Sequence, residues 1–216
     1  MIRIVVADDH TIVREGLKQL LGAAGDLDVV GEAQNGHEVI DRVRTLEFDL
    51  LLLDMSMPGK SGIELIKQVR SEKPRLRILV LSMHEEHQYA VRAIRAGAAG
   101  YLTKESASRQ LVEAIRKVAS GGAFISSEVA QQLALGAMPD AKSAPHETLS
   151  DREFQIFRMI AEGVSVTDIA ARLNLSVKTV STHKGNIMTK MNMTSQAELI
   201  RYAITHRLVG DTSDPV

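Results

Sequence analysis

Short apolar runs recur along the first 120 positions, among them IRIVVA at 2–7, LLLL at 50–53 and ILVL at 78–81, and each is followed by a stretch with helical spacing. The alternation predicts strands near 2–7, 28–33, 49–53, 77–82 and 100–103. It predicts helices near 11–22, 36–45, 62–71, 87–96 and 107–119. LLLL and ILVL carry no alternating polar position, as expected where helices cover both faces of a parallel sheet. Strand then helix, five times over, predicts a doubly wound α/β fold around a five-stranded parallel sheet.

Gly121-Gly122 closes this pattern, SEVAQQLALG predicts one more short helix, and AMPDAKSAPHET has the small, polar, proline-containing composition of a linker. The expected division is a first domain over 1–121, a linker over 122–146 and a second domain over 147–210. Ser150-Asp151-Arg152-Glu153 has the form of a capping box, so a helix is expected to start there and to stop at Gly163. Helices near 165–173, 176–191 and 194–206 follow, the first two separated only by Asn174-Leu175-Ser176. Four short helices with a tight turn between the middle pair suit an all-α helix-turn-helix domain.

A chain of 216 residues is long enough for both domains, and its formal net charge of -1 excludes a wholly basic nucleic-acid coat or a membrane-surface protein. Without cysteine there is neither a disulfide framework nor a thiolate metal site. The N-terminal apolar run stops at Asp8, too short for a signal-peptide core or a membrane span, so a cytosolic protein with no membrane partner is expected.

Chemistry concentrates at the strand ends. Asp8 and Asp9 close the first apolar run, Asp54 closes the third strand and Lys104 follows the fifth. Ligands of an open parallel sheet bind beyond the carboxyl ends of its strands, where these four residues fall. A single strand-end aspartate ordinarily caps the next helix; four charged residues at matching ends need another explanation. Three carboxylates in one crevice repel each other unless a cation intervenes, and oxygen-only ligands suit a hard ion such as Mg²⁺. Asp54 could then act as a nucleophile toward phosphorus, with Lys104 balancing charge on the phosphoryl oxygens. Ser82 offers a hydroxyl at the fourth strand end and Tyr101 a side chain able to change rotamer. His10 is expected to help cap the first helix rather than bind metal, and Met55 and Met57 to pack.

In ADDH at 7–10, LLLDMSMPGKSG at 51–62, LS at 81–82 and GYLTK at 100–104, the chain resembles the receiver domain of bacterial two-component response regulators. The resemblance covers about residues 1–120, Pro58 and Gly62 included. It implies a flavodoxin-like receiver in which Asp54 is the phosphoacceptor. Asp8, Asp9, Asp54 and the Ser56 carbonyl would be the Mg²⁺ environment, and Ser82 with Tyr101 the switch pair. In this family side chains two residues beyond Asp54 and Ser82, here Ser56 and His84, border the path of attacking water.

Between Asp168 and Glu198 the chain carries Arg172, Lys178, Lys184 and Lys190 and no acid, a local +4 inside a domain whose charges otherwise cancel. The helix near 176–191 has Val180, Ile187 and Met191 as one apolar stripe, leaving Lys178, Ser181, Thr182, Gly185 and Thr189 on the far side. A solvated basic helix would look the same on charge alone. The segment LSDREFQIFRMIAEGVSVTDIAARLNLSVKTVSTHKGNIMTKMNM, however, resembles the LuxR-type helix-turn-helix of the NarL/FixJ group across about 148–208. That resemblance implies that the helix at 177–190 enters the DNA major groove, with Lys178, Thr179, Ser181, Thr182 and Gly185 facing DNA and His183 and Lys184 near phosphates. Ser181 stands where the family commonly has a basic residue, and Val166-Thr167-Asp168 replaces Asn-Lys-Glu. The last helix has Ala197, Ile200, Ala203 and Ile204 on one side, which suits either core or a dimer surface.

The expectation is a response regulator, not an enzyme beyond its own phosphorylation and dephosphorylation, whose modification at Asp54 controls DNA binding and transcription. Its expected partners are a cognate sensor histidine kinase, double-stranded DNA and, once phosphorylated, a second copy of itself. The family further implies that the unphosphorylated receiver covers the recognition helix, with the linker around 137–147 permitting release. A dehalogenase-like phosphatase is the enzymatic rival, but that family carries D-x-D after its first strand. Here Asp54 is followed at +2 by Ser56, and the paired acids sit on strand one.

Overall fold

The computed structural model describes residues 1–57, 62–82, 87–135, 144–206, 208 and 209. Pro58, His84 and the segment 137–143 lie outside the described residues. Packing divides the chain into two compact units, Met1–Gln132 and Leu133–Val216.

The first unit is built from β1 (Ile2–Ala7), α1 (Thr11–Gly22), β2 (Leu27–Ala33), α2 (Gly36–Thr45), β3 (Leu50–Asp54), α3 (Gly62–Glu72), β4 (Arg77–Ser82), α4 (His87–Arg95), β5 (Gly100–Thr103), α5 (Lys104–Ala119) and the first turns of α6 (Ser127–Leu135), whose last three residues fall past the division. Its strands are all parallel in the order β2-β1-β3-β4-β5. Every residue of β3 is buried, as the unbroken LLLL run requires of a strand covered on both faces. Ile4, Val6, Leu50, Leu52, Leu79 and Leu81 meet Leu17 and Leu21 of α1 and Leu111, Ile115 and Val118 of α5 on one side of the sheet.

Two departures from the sequence expectation bear on the site. Helix α5 begins at Lys104 rather than near 107, directly after Thr103, so the lysine is held by regular structure on both sides. The segment expected as a linker from 122 is ordered into the sheet: the Tyr101 amide donates to the Phe124 carbonyl at 2.9 Å, and the Phe124 amide to the Ala99 carbonyl at 3.1 Å. Gly100 makes this possible, because a Cβ there would lie 2.7 Å from Leu79 Cδ1 and 3.0 Å from the Phe124 carbonyl oxygen.

The second unit contains a 3₁₀ turn (Pro145–Thr148), α7 (Asp151–Ala161), α8 (Val166–Leu173), α9 (Val177–Lys190) and α10 (Gln196–Thr205). The expected capping box is present, the Ser150 hydroxyl accepting from the Glu153 amide and the Glu153 carboxylate from the Ser150 amide. Asn174 turns the chain between α8 and α9 in the left-handed conformation, φ 52 and ψ 47. The core gathers Phe154, Phe157, Ile160, Ile169, Leu173, Val180, Ile187 and Leu199. His146, expected within the linker, is buried here, its Nδ1 2.8 Å from the Tyr202 hydroxyl.

Candidate functional site

Strands β1 and β3 are neighbours although β2 separates them in sequence, so the crevice beyond their carboxyl ends is a topological switch point of the sheet. Asp8 follows the last residue of β1 and Asp54 is the last residue of β3; both are 1% exposed. Lys104 reaches across from the start of α5, placing Nζ 2.6 Å from Asp8 Oδ2 and 3.2 Å from Asp54 Oδ2. Asp9 lies beside them, its Oδ1 2.9 Å from His10 Nδ1. The acids and the lysine that the sequence placed at separate strand ends are thus brought together.

The charges are not evenly matched. Burial raises the Asp54 carboxyl above its usual range; the Lys104 charge opposes this and the Asp8 charge adds to it. Burial also works to lower the Lys104 pKa, but its hydrogen bond to Asp8 and the charges of Asp54 and Asp8 outweigh that, leaving the ammonium above its usual range. Lys104 is therefore first the partner of Asp8, and Asp54 is left short of positive charge. The Lys104 ammonium and the Ser56 amide approach Asp54 without reaching full hydrogen-bond geometry, and the buried Asp9 Oδ1 has no donor in bonding geometry among the described residues. Ligand atoms of Asp8, Asp9, His10 and Asp54 lie within 4.8 Å of one another. Buried, underbonded carboxylate oxygens at that spacing fit a divalent cation.

Ser82 is the fully buried last residue of β4, next to Leu81, which pairs with Asp54. Tyr101 of β5 pairs with Val80, two residues before Ser82, so both side chains share a face of the sheet. Tyr101 also lines a cavity of 470 Å³ with Ala90, Gln110, Phe124 and Val129. Ser56 is exposed just past β3, while Met55 and Met57 are packed inside, as expected.

The expectation for His10 is corrected. It occupies the N-cap position of α1 but its side chain makes no capping bond; the ring turns instead toward the carboxylates of Asp8 and Asp9.

Arg14 was not legible as part of the site. It is 4% exposed and donates from Nη1 to the Asp8 carbonyl at 2.8 Å, while Nε pairs with Glu32 of β2 at 3.2 Å. The loop carrying the acids is thereby tied to α1 and β2. The available signal was an arginine three and seven residues before Leu17 and Leu21, on the apolar stripe of a helix.

In the second unit, α9 buries Val180 and Ile187 and leaves Lys178, Ser181, Thr182, Gly185 and Thr189 exposed. A Cβ added at Gly185 would meet nothing within 4 Å, so the fold itself does not demand glycine there. Thr179 is engaged at the N-cap through Ser176. Lys184 is partly buried and donates to Gln196 Oε1 at 2.7 Å. His183 is also partly buried, and its Nδ1 has no partner among the described residues. On α10 the buried positions are Leu199 and Ala203, with Ile204 56% exposed, so the stripe expected there does not bury as one face.

Residues 4–116 match the response regulator receiver domain family, and residues 147–203 match the luxR family of bacterial regulatory proteins. This chain is a two-component response regulator. It is 39% identical over 209 residues to the response regulator UvrY of Escherichia coli K12, covering 96% of each chain. To the response regulator GacA of Pseudomonas aeruginosa it is 39% identical over 214 residues, 99% of this chain and all of that one. The response regulator RcsB of Salmonella typhimurium superposes with a TM-score of 0.72 at 29% identity, covering 94% of this chain and 97% of that chain. RcsB bound to the promoter rprA in the presence of the phosphomimetic BeF3- superposes at 0.67, again at 29% identity, with 95% and 100% covered. The five-stranded sheet and the helical unit of this response regulator thus recur in a regulator of the same group. No helix among the described residues is long and apolar enough to cross a membrane.

Proposed function

We propose that this response regulator is switched by phosphorylation of Asp54 and that the modified form binds double-stranded DNA through α9 to control transcription. The observation that carries the reading is the juxtaposition of a buried, underbonded Asp54 with Lys104 at the switch point between β1 and β3. A carboxylate oxygen of Asp54 attacks the phosphorus of a donor, the bond from phosphorus to its leaving group breaks, and that group departs with the electron pair. Lys104 already spans Asp8 and Asp54, so its ammonium stands ready for the charge gathering on the phosphoryl oxygens. Arg14 keeps the Asp8 carbonyl in place meanwhile. Mg²⁺, held by Asp8, Asp9, Asp54 and the Ser56 carbonyl, would neutralise the remaining negative charge when bound.

Ser82 and Tyr101 are proposed as the switch pair on geometric grounds: they share a face of the sheet, and Tyr101 borders a cavity into which its ring could turn. Exposed Lys178, Ser181, Thr182 and Gly185 form the surface of α9 offered to base edges, with Thr179, His183 and Lys184 at its margins. The donor is a sensor histidine kinase, the phosphorylated regulator acts as a homodimer, and the compartment is the cytosol. The similar regulator RcsB bound to the promoter rprA in the presence of the phosphomimetic BeF3- supports this reading.

Incubation with acetyl phosphate and Mg²⁺ should label Asp54 in the native chain. Asp54→Asn and chelation of the ion should each abolish labelling, because an amide is a poor nucleophile and an uncompensated acid cluster repels the donor. Full labelling of Asp54→Asn would place the site elsewhere and end the proposal.

A further inference from the structure

The orientation of His10 is not explained by the capping role its position invites. Its Nδ1 sits 3.1 Å from Asp8 Oδ1 and 2.9 Å from Asp9 Oδ1. A single proton on Nδ1 accounts for only half of this arrangement. It makes a hydrogen bond with Asp8, whereas the buried Asp9 Oδ1 receives none. Asp54 supplies a third carboxylate to the same cluster, approached by Lys104 and the Ser56 amide without full hydrogen-bond geometry. Adjacent ligands around a six-coordinate ion with bonds near 2.1 Å are about 3 Å apart, which is the distance of His10 Nδ1 from Asp8 Oδ1 and from Asp9 Oδ1, and the Asp54 ligand atom lies within 4.8 Å of all three. One cation touching all of them would satisfy what one proton cannot.

We propose that His10 is a nitrogen ligand of this site and that the response regulator thereby binds first-row transition ions, Mn²⁺ and Co²⁺ among them, more tightly than Mg²⁺. Carboxylates alone suit hard ions, whereas an imidazole in the set favours the borderline transition metals. The backbone helps, because the His10 amide donates to Asp8 Oδ1 at 2.8 Å and so fixes residue 10 against residue 8. The imidazole is 63% exposed, which leaves Nε2 to water while Nδ1 faces the acids. This inference rests on the reading that Asp8, Asp9 and Asp54 hold a divalent ion at all.

The test is titration calorimetry of the full chain with Mg²⁺, Mn²⁺ and Co²⁺, set beside electron spin-echo spectroscopy of the Mn²⁺ form. His10→Ala should weaken Mn²⁺ and Co²⁺ binding by roughly 10- to 100-fold and leave Mg²⁺ within about twofold. His10→Asn should behave as His10→Ala, and with the side chain largely in solvent both variants should fold. The native Mn²⁺ complex should show modulation from a directly bound nitrogen that both variants lose. Equal Co²⁺ affinity in native and His10→Ala chains, or no nitrogen modulation, overturns the role of His10 while leaving the acid site standing. A native chain that binds none of the three ions overturns both readings.

Discussion

The Lys190 ammonium lies 2.6 Å from Glu153 Oε2, so the last residue of α9 is fastened to the first turn of α7. The same Oε2 accepts the Ser150 amide at 2.8 Å, which gives one carboxylate both a helix cap and a tie between helices.

Glu153→Ala should therefore destabilise the second unit by about 2 kcal/mol, the sum expected for a cap and one charge-assisted hydrogen bond. Glu153→Gln keeps the capping geometry and should cost less. Burial alone would raise this carboxyl, but Lys190 and the Ser150 amide and hydroxyl outweigh it and hold it below its ordinary value of 4.5. Its contribution is thus complete above pH 4.5 and disappears as pH falls through the lower folded value. Calorimetric melts at decreasing pH should show native and Glu153→Gln chains converging in acid. Parallel curves over the whole range would separate Glu153 from this linkage.

Arg14→Ala should slow acetyl phosphate labelling and destabilise the first unit by about 2 kcal/mol, because the Asp8 carbonyl and Glu32 lose a shared donor. Arg14→Lys, with a charge but no fork, should recover stability better than labelling rate. If both variants lose stability yet label at the native rate, Arg14 holds the fold and not the acids.

Lys184→Ala should weaken binding to every DNA sequence and lower the salt slope by about one unit. Thr182→Ala should lose roughly 1 kcal/mol or more on the preferred site alone if it reads a base edge. Before contacting phosphate, Lys184 must leave Gln196, so Gln196→Ala should tighten binding slightly. Identical losses on specific and random DNA for the lysine and threonine variants would undo this docking of α9.

Gly185→Ala separates folding from recognition. An alanine meets open space in the free protein, so the variant should be more stable by up to about 1 kcal/mol. Affinity for the preferred site should nevertheless fall, since the new methyl group stands where DNA approaches. Unchanged affinity measured by fluorescence anisotropy would move the contact surface away from residue 185.

What was legible followed from periodicity. Asp8, Asp54 and Lys104 each stop an apolar run, and stopping a run in a parallel sheet places a residue at its functional edge. The outward face of α9 could be read because Val180, Ile187 and Met191 admit one stripe. On α10 the pairs Leu199/Ala203 and Ile200/Ile204 offer two overlapping stripes, and only tertiary neighbours choose the first. His146 and Tyr202 are 56 residues apart, and nothing local announces that a histidine in a linker-like stretch will be buried against a tyrosine. Arg14 was hidden for the opposite reason, being a charge where the pattern expects a leucine.

The acid cluster and its lysine come from strands far apart in the chain, Asp8 and Lys104 being separated by 96 positions. On the ribosome the acids of β1 and β3 emerge long before the cation that joins them, and β5 is the last strand to enter the sheet. A nascent or clipped chain ending before residue 104 could collapse around Leu50–Leu53 and still lack the ammonium that pairs with both Asp8 and Asp54. On the proposed reading of Asp54 and Lys104, competence to receive a signal arrives only with the fifth strand, so that an unfinished regulator stays silent instead of answering incorrectly.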